Sequence, residues 1–205
     1  MNKLLLSLVF VAGLGACSAP MHEKFDPAAV ATDPSSVNTV VLDSAGISVS
    51  LPKAWQRTPD VYDENPNVIL YQFRREPVFD DRARKIIPNF AVFAEDVSRG
   101  TDVSTFSDKK RSSSIFAHHT ILASPKTALG GVGGLCYIST YDDGPDRLEH
   151  RIYLVYSIVG NKGLQIMIDG TESVFDMLSS EYEYILRSLS KIEPRRQPGA
   201  PGASE

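Results

Sequence analysis

Four groups of residues in this chain have the types and spacing to do chemistry. Asp142, Asp143, Asp146 and Glu149 place carboxylates on and beside one short turn. Calcium takes about six to eight oxygens, often from such loops. The EF-hand ligand spacing is missing, however, and Asp and Gly are what any tight turn uses. The segment therefore reads as a solvated hairpin turn. His118 and His119 are adjacent. Neighbours in a strand project to opposite faces, so the pair reads as surface histidines and not as a metal site. Gly130-Gly131-Val132-Gly133-Gly134 has the composition of a phosphate loop. A nucleotide fingerprint needs its glycines after a strand and opening a helix. Here a strand follows, so the run reads as a flexible connector. Cys136 sits in the apolar run Leu135-Cys136-Tyr137-Ile138, where a free cysteine behaves as a small hydrophobe. No cationic neighbour stands ready to activate it. Neither a Gly-x-Ser-x-Gly elbow nor a His-Glu-x-x-His helix occurs. These readings assign no catalytic residue, metal or cofactor, and the chain is expected not to be an enzyme.

The second cysteine has a more definite chemistry. The first residues, MNKLLLSLVFVAGLGAC, combine the positive charge of Lys3 with a short apolar core from Leu4 to Ala12. That is the layout of an export signal. It falls short of the ~20 apolar residues that a membrane-spanning helix needs. A conventional cut after Ala16 would put bulky Leu14 where a small residue is required. Leu14-Gly15-Ala16-Cys17 instead resembles the lipobox of bacterial lipoproteins. The resemblance implies cleavage before Cys17 and a thioether from its thiol to diacylglycerol. It also implies a membrane-lipid partner and a cell-envelope location facing the periplasm. Two or more acyl chains give stable anchoring where one does not. Ser18 takes the place where the family's inner-membrane retention signal is usually an aspartate, which favours the outer membrane in a Gram-negative host.

Residues 1–16 are thus expected to be the signal peptide. Residues 17–38 are expected to form the lipidated cysteine and a flexible tether of roughly 25 Å span. Residues 39–192 are assigned to one globular domain and 193–205 to a disordered, Pro- and Gly-rich tail. Loss of Lys3 with the signal leaves 20 basic against 25 acidic residues. That balance argues against general nucleic-acid binding, which wants a basic face. With Cys17 on lipid, Cys136 has no partner for an internal disulfide.

The elements that must position these groups are mostly strands. Apolar and polar residues alternate strictly from Ile47 to Leu51, the mark of a half-buried strand, and Pro52 is expected to end it. Val68–Phe73 reads as a second strand. Phe90–Ala94, apolar on both faces, reads as a central one. Others fit Thr120–Ala123, Leu135–Tyr141, Ile152–Val159 and Leu164–Ile168. Gly160-Asn161-Lys162-Gly163 is expected to turn the last two into a hairpin. One helix is predicted from Asp102, as N-cap, to Phe116, with Val103 and Phe106 on its apolar face. A second is predicted to start at a capping box formed by Ser173 and Asp176. Val174, Leu178, Tyr182, Ile185 and Leu189 recur along it at helical spacing, to pack on a sheet.

Taken in order, GISVSLPKAW (46–55), a central apolar strand, a helix, GGLCYISTY (133–141), a long hairpin and a last helix ending ILRSL (185–189) resemble the PsbP-like family. That family includes the extrinsic PsbP protein of photosystem II and DcrB-type envelope lipoproteins. The resemblance covers residues 44–191. It implies an α+β fold, an antiparallel sheet of about six to seven strands with helices packed on its faces. It further implies a non-enzymatic binding, scaffolding or assembly role, with an envelope protein as partner. The family's metal-binding residues find no matching motif here. Two other readings stay open: a small-molecule or lipid carrier, and an envelope enzyme with an unrecognised site.

Overall fold

The computed structural model describes residues 25–28, 33–59, 68–113, 120–123, 130–143 and 148–192. Two strands open the fold, β1 (Val37–Leu42) and β2 (Ile47–Pro52), paired antiparallel with Leu42 opposite Ile47 and Val37 opposite Pro52. The alternation in β2 has the expected result. Ile47, Val49 and Leu51 are buried, while Ser48 and Ser50 turn to the other face. Pro52 is the strand's last residue.

Seven strands then build the main sheet. They are β3 (Trp55–Arg57), β4 (Val68–Arg75), β7 (Asn89–Asp96), β8 (Thr120–Ala123), β9 (Leu135–Asp143), β10 (Leu148–Val159) and β11 (Lys162–Thr171). Their order is β3-β4-β7-β11-β10-β9-β8, and every neighbouring pair is antiparallel. β7 lies inside the sheet between β4 and β11, as its two apolar faces require. The β10–β11 turn is tighter than expected. Val159 pairs with Lys162, so Lys162 and Gly163 belong to β11 and Gly160-Asn161 alone makes the loop. A short ribbon, β5 (Val78–Phe79) with β6 (Lys85–Ile86), stands apart from both sheets.

Helices cover the main sheet on both faces. α1 (Val103–Ser113) begins where expected. Asp102 Oδ1 accepts the Thr105 amide at 3.0 Å. Residues 114–116 of the predicted helix lie outside the described residues. Phe106 of α1 packs with Ala91, Ile152, Leu154, Tyr156 and Met167 in a small core on this side of the sheet. The larger core lies on the other side, under the β1–β2 pair and the last helices.

Those last helices differ from the expectation. The predicted single helix is two, α2 (Glu172–Met177) and α3 (Ser179–Ser188), separated at Leu178. Ser173 does not cap α2. β11 runs directly into the helix, Thr171 takes the N-cap position, and its side chain makes no capping bond. Asp176 is engaged instead with Arg151. The apolar stripe is nevertheless fully buried, with Val174, Leu178, Tyr182, Ile185 and Leu189 at 0–1% exposure. After α3, β12 (Ser190–Lys191) adds to β2 and completes a three-stranded sheet, β1-β2-β12.

The folded body also draws in residues assigned to the tether. β1 starts at Val37, before the expected boundary at 39, because its register carries it to Pro52. Further back, the Phe25 ring lies 5.2 Å from that of Tyr184 on α3. Ser180 Oγ donates to the Phe25 carbonyl at 3.3 Å.

Candidate functional site

One end of the main sheet gathers most of the polar chemistry. There β10 starts, β11 passes into α2, and the loop between β5 and β6 folds across. Together they enclose an open cleft of about 410 Å³. The loop contributes Asp81, Arg82 and Arg84. β10 contributes Leu148 and Glu149, and α2 contributes Glu172, Ser173 and Asp176. Thr171 lines it from the strand-helix junction.

Ion pairs engage several of the cleft's lining residues. Arg151, which alternates inward from β10, donates from Nη1 to Asp176 Oδ1 at 2.6 Å and from Nη2 to Glu172. Its guanidinium also lies 5.8 Å from the Phe175 ring centroid. On the loop side, the Asp80 carboxylate is wholly buried. It accepts the Arg82 and Arg84 amides at 3.0 and 2.8 Å and Arg84 Nε at 2.7 Å. Burial pushes the Asp80 carboxyl up, but those donors pull harder and hold it below the usual aspartate range. Thr171, at 3% exposure, keeps a hydroxyl with no hydrogen-bond partner among the described residues. Such a group costs free energy unless something meets it.

Across the sheet from the cleft lies a group that sequence reasoning missed. Tyr141 donates to Asp169 Oδ2 at 2.6 Å. His150 Nδ1 stands 3.4 Å from the same oxygen, and the His150 ring stacks on Tyr141 at 4.9 Å. The register of three strands brings them together, opposing Tyr141 to His150 and His150 to Thr171. No local motif encodes that register.

The residues singled out from sequence fall in several places. Glu149 is exposed and lines the cleft. Asp142 and Asp143 end β9 at the same sheet end, with Asp142 opposite Glu149. Asp146 lies outside the described residues, as do His118, His119 and Cys17. Among the described residues, no group of three or more His, Cys, Asp or Glu could hold a metal ion.

The glycine run is not a loose connector. The Gly131 amide donates to the Leu189 carbonyl at 2.8 Å, closing the end of α3. A Cβ on Gly130 would stand 2.3 Å from that same carbonyl, and one on Gly134 would stand 2.3 Å from the Tyr156 carbonyl. Gly130 and Gly134 serve close backbone approach. Cys136 follows them at 4% exposure, and burial pushes its thiol up to about 12.

No family model matches the sequence, and no curated protein matches it significantly. Solved structures do match. A PsbP from the cyanobacterium Synechocystis superposes with a TM-score of 0.53 at 14% identity, over 76% of this chain and 92% of that one. The fold is PsbP-like. LpqN of Mycobacterium tuberculosis, described as involved in cell envelope biogenesis, gives a TM-score of 0.52 at 12% identity. That match covers 75% of this chain and 89% of LpqN. At these identities the likeness is one of fold. The PsbP-like body accounts for the mixed α+β class and the antiparallel sheet expected from sequence. Among its described residues no helix is long and apolar enough to cross a membrane.

Proposed function

We propose that this chain is a lipid-anchored module of the bacterial cell envelope that binds a partner protein through the charged cleft and catalyses no reaction. The observation that carries the binding role is the Arg151 clamp. With Glu172 and Asp176 tied to one guanidinium and Arg84 tied to Asp80, the cleft walls carry both charge signs in a fixed arrangement. Preset charges of this kind favour one partner and repel others. The anchor rests on Leu14-Gly15-Ala16-Cys17, and the description of LpqN supports the envelope setting.

Two experiments test the two halves. Metabolic labelling with palmitate is expected to mark the wild-type chain and place it in the membrane fraction. Cys17→Ser is expected to lose the label and accumulate as an uncut or freely soluble form. Normal labelling of that variant refutes the anchor. For the cleft, crosslinking in native membranes is expected to join the chain to a discrete envelope protein, and the exposed Glu149→Lys change is expected to abolish the product. A crosslinking pattern no different from background counts against the binding role.

A second reading has its own support. The cleft volume falls in the range of small-molecule sites, and the Thr171 hydroxyl is left to be met. A carrier of a small polar molecule would show that molecule in native mass spectra of protein purified from its host.

A further inference from the structure

Phe79 and Ile87 are large apolar side chains left about half exposed, at 48% and 50%. In the β5–β6 ribbon, Val78 faces Ile86 and Phe79 faces Lys85. Val78 is buried and Ile86 packs against the main core. Strand alternation therefore puts Phe79, Lys85 and Ile87 on the ribbon's outward face. The ribbon is not a loose loop. Asp80 N donates to the Arg84 carbonyl at 3.0 Å, and the buried Asp80 carboxylate ties down the rest of the turn.

Beside Ile87 runs a groove of about 330 Å³, walled by Arg57 and Arg74 from β3 and β4. Glu76 is the only acid among its described lining residues. Lys85 thus lies opposite Phe79 on the ribbon, and Arg57 and Arg74 line the groove beside Ile87, in a chain whose net charge is −4.

The position of this face relative to the anchor matters. Arg75, in the floor of the groove, is bound by Glu181. The adjacent Ser180 holds the Phe25 carbonyl. Eight residue steps lead from Phe25 back to Cys17. A chain of that length spans at most roughly 28 Å.

We propose that this face lies on the membrane surface. Phe79 and Ile87 enter the boundary between headgroups and acyl chains, and Lys85, Arg74 and Arg57 meet the phosphates of anionic phospholipid. The placement rests on the reading of Cys17 as the lipid anchor.

The test uses the mature chain from residue 17 carrying Cys17→Ser and produced without residues 1–16, so that neither an acyl group nor the apolar signal contributes to binding. It is expected to co-float with vesicles holding roughly 30% phosphatidylglycerol and to dissociate as salt rises. Adding Phe79→Ser and Ile87→Ser is expected to lower the partition about tenfold or more. Val41→Ser, at an apolar side chain exposed to 50% elsewhere, is expected to leave it unchanged. Failure of the parent chain to co-float overturns the proposal, and so does equal partition of the parent and the double variant. A photocrosslinker at position 79 that captures protein and not lipid in native membranes also overturns it. Palmitate labelling of Cys17 is read separately, so loss of the hairpin contact and loss of the anchor are distinguishable.

Discussion

The Arg75 guanidinium holds the Glu181 carboxylate through Nε at 3.0 Å and Nη2 at 3.3 Å, with the two side chains only 5% and 2% exposed. Trp55 Nε1 donates to the same carboxylate at 2.6 Å. The pair joins β4 to α3 across the main core. Removing one partner strands a buried charge, which costs more than the pair contributes. Glu181→Ala is expected to destabilise the domain by about 3–5 kcal/mol, read from urea unfolding. Arg75→Met with Glu181→Leu is expected to recover part of that loss, because no buried charge remains. A single variant as stable as the wild type would mean that water reaches the pair.

Leu178 sits between α2 and α3 at 1% exposure. Leu178→Ala is expected to cost about 2–5 kcal/mol, as truncation of a buried leucine does. A loss under about 0.5 kcal/mol would mean that the joint between the helices closes over the cavity at little cost.

Asp80 gives a pH signature. Its folded carboxyl titrates below the ordinary aspartate value of about 3.9. A depressed value of this kind contributes stability that is fully present above the unfolded value and is lost as pH falls through the folded one. Asp80→Asn is therefore expected to be less stable than the wild type at neutral pH. The difference is expected to shrink as pH falls below about 4. A difference that is constant across that range would show that the carboxylate's charge is not what closes the turn.

Cys136 offers a probe of strand opening. With its thiol at about 12 and its side chain buried, almost none is thiolate at neutral pH. In the Cys17→Ser chain, alkylation of Cys136 is expected to be slower by two orders of magnitude or more than in denaturant. Equal rates would mean that β9 opens readily.

The fold was legible wherever burial writes a period into the chain. Alternation in Ile47–Leu51 and the two-faced run Phe90–Ala94 located β2 and β7, and the Val174-to-Leu189 stripe located the last helices. The stripe hid the break at Leu178. Leu178 N still bonds the Val174 carbonyl, and Tyr182 N still bonds that of Leu178, so the spacing runs on unchanged. β3, β5, β6 and β12 have two or three residues each, too few to show a period. The cleft was illegible for a different reason. Asp81 and Glu172 line one cleft because β11 ends where the β5–β6 loop folds over, and Arg151 finds its acids through strand register. Such distances in sequence leave no local trace.

The three-stranded sheet has a consequence for how the chain matures. β2 is flanked by β1 on one side and β12 on the other, with Ser48 opposite Ser190 and Ile47 opposite Lys191. The strands made first cannot complete their sheet until almost the last described residues arrive. Pairings so remote in sequence close late, after the entropy of a long loop has been lost. The edge of β2 that β12 covers therefore stays open until synthesis is nearly complete.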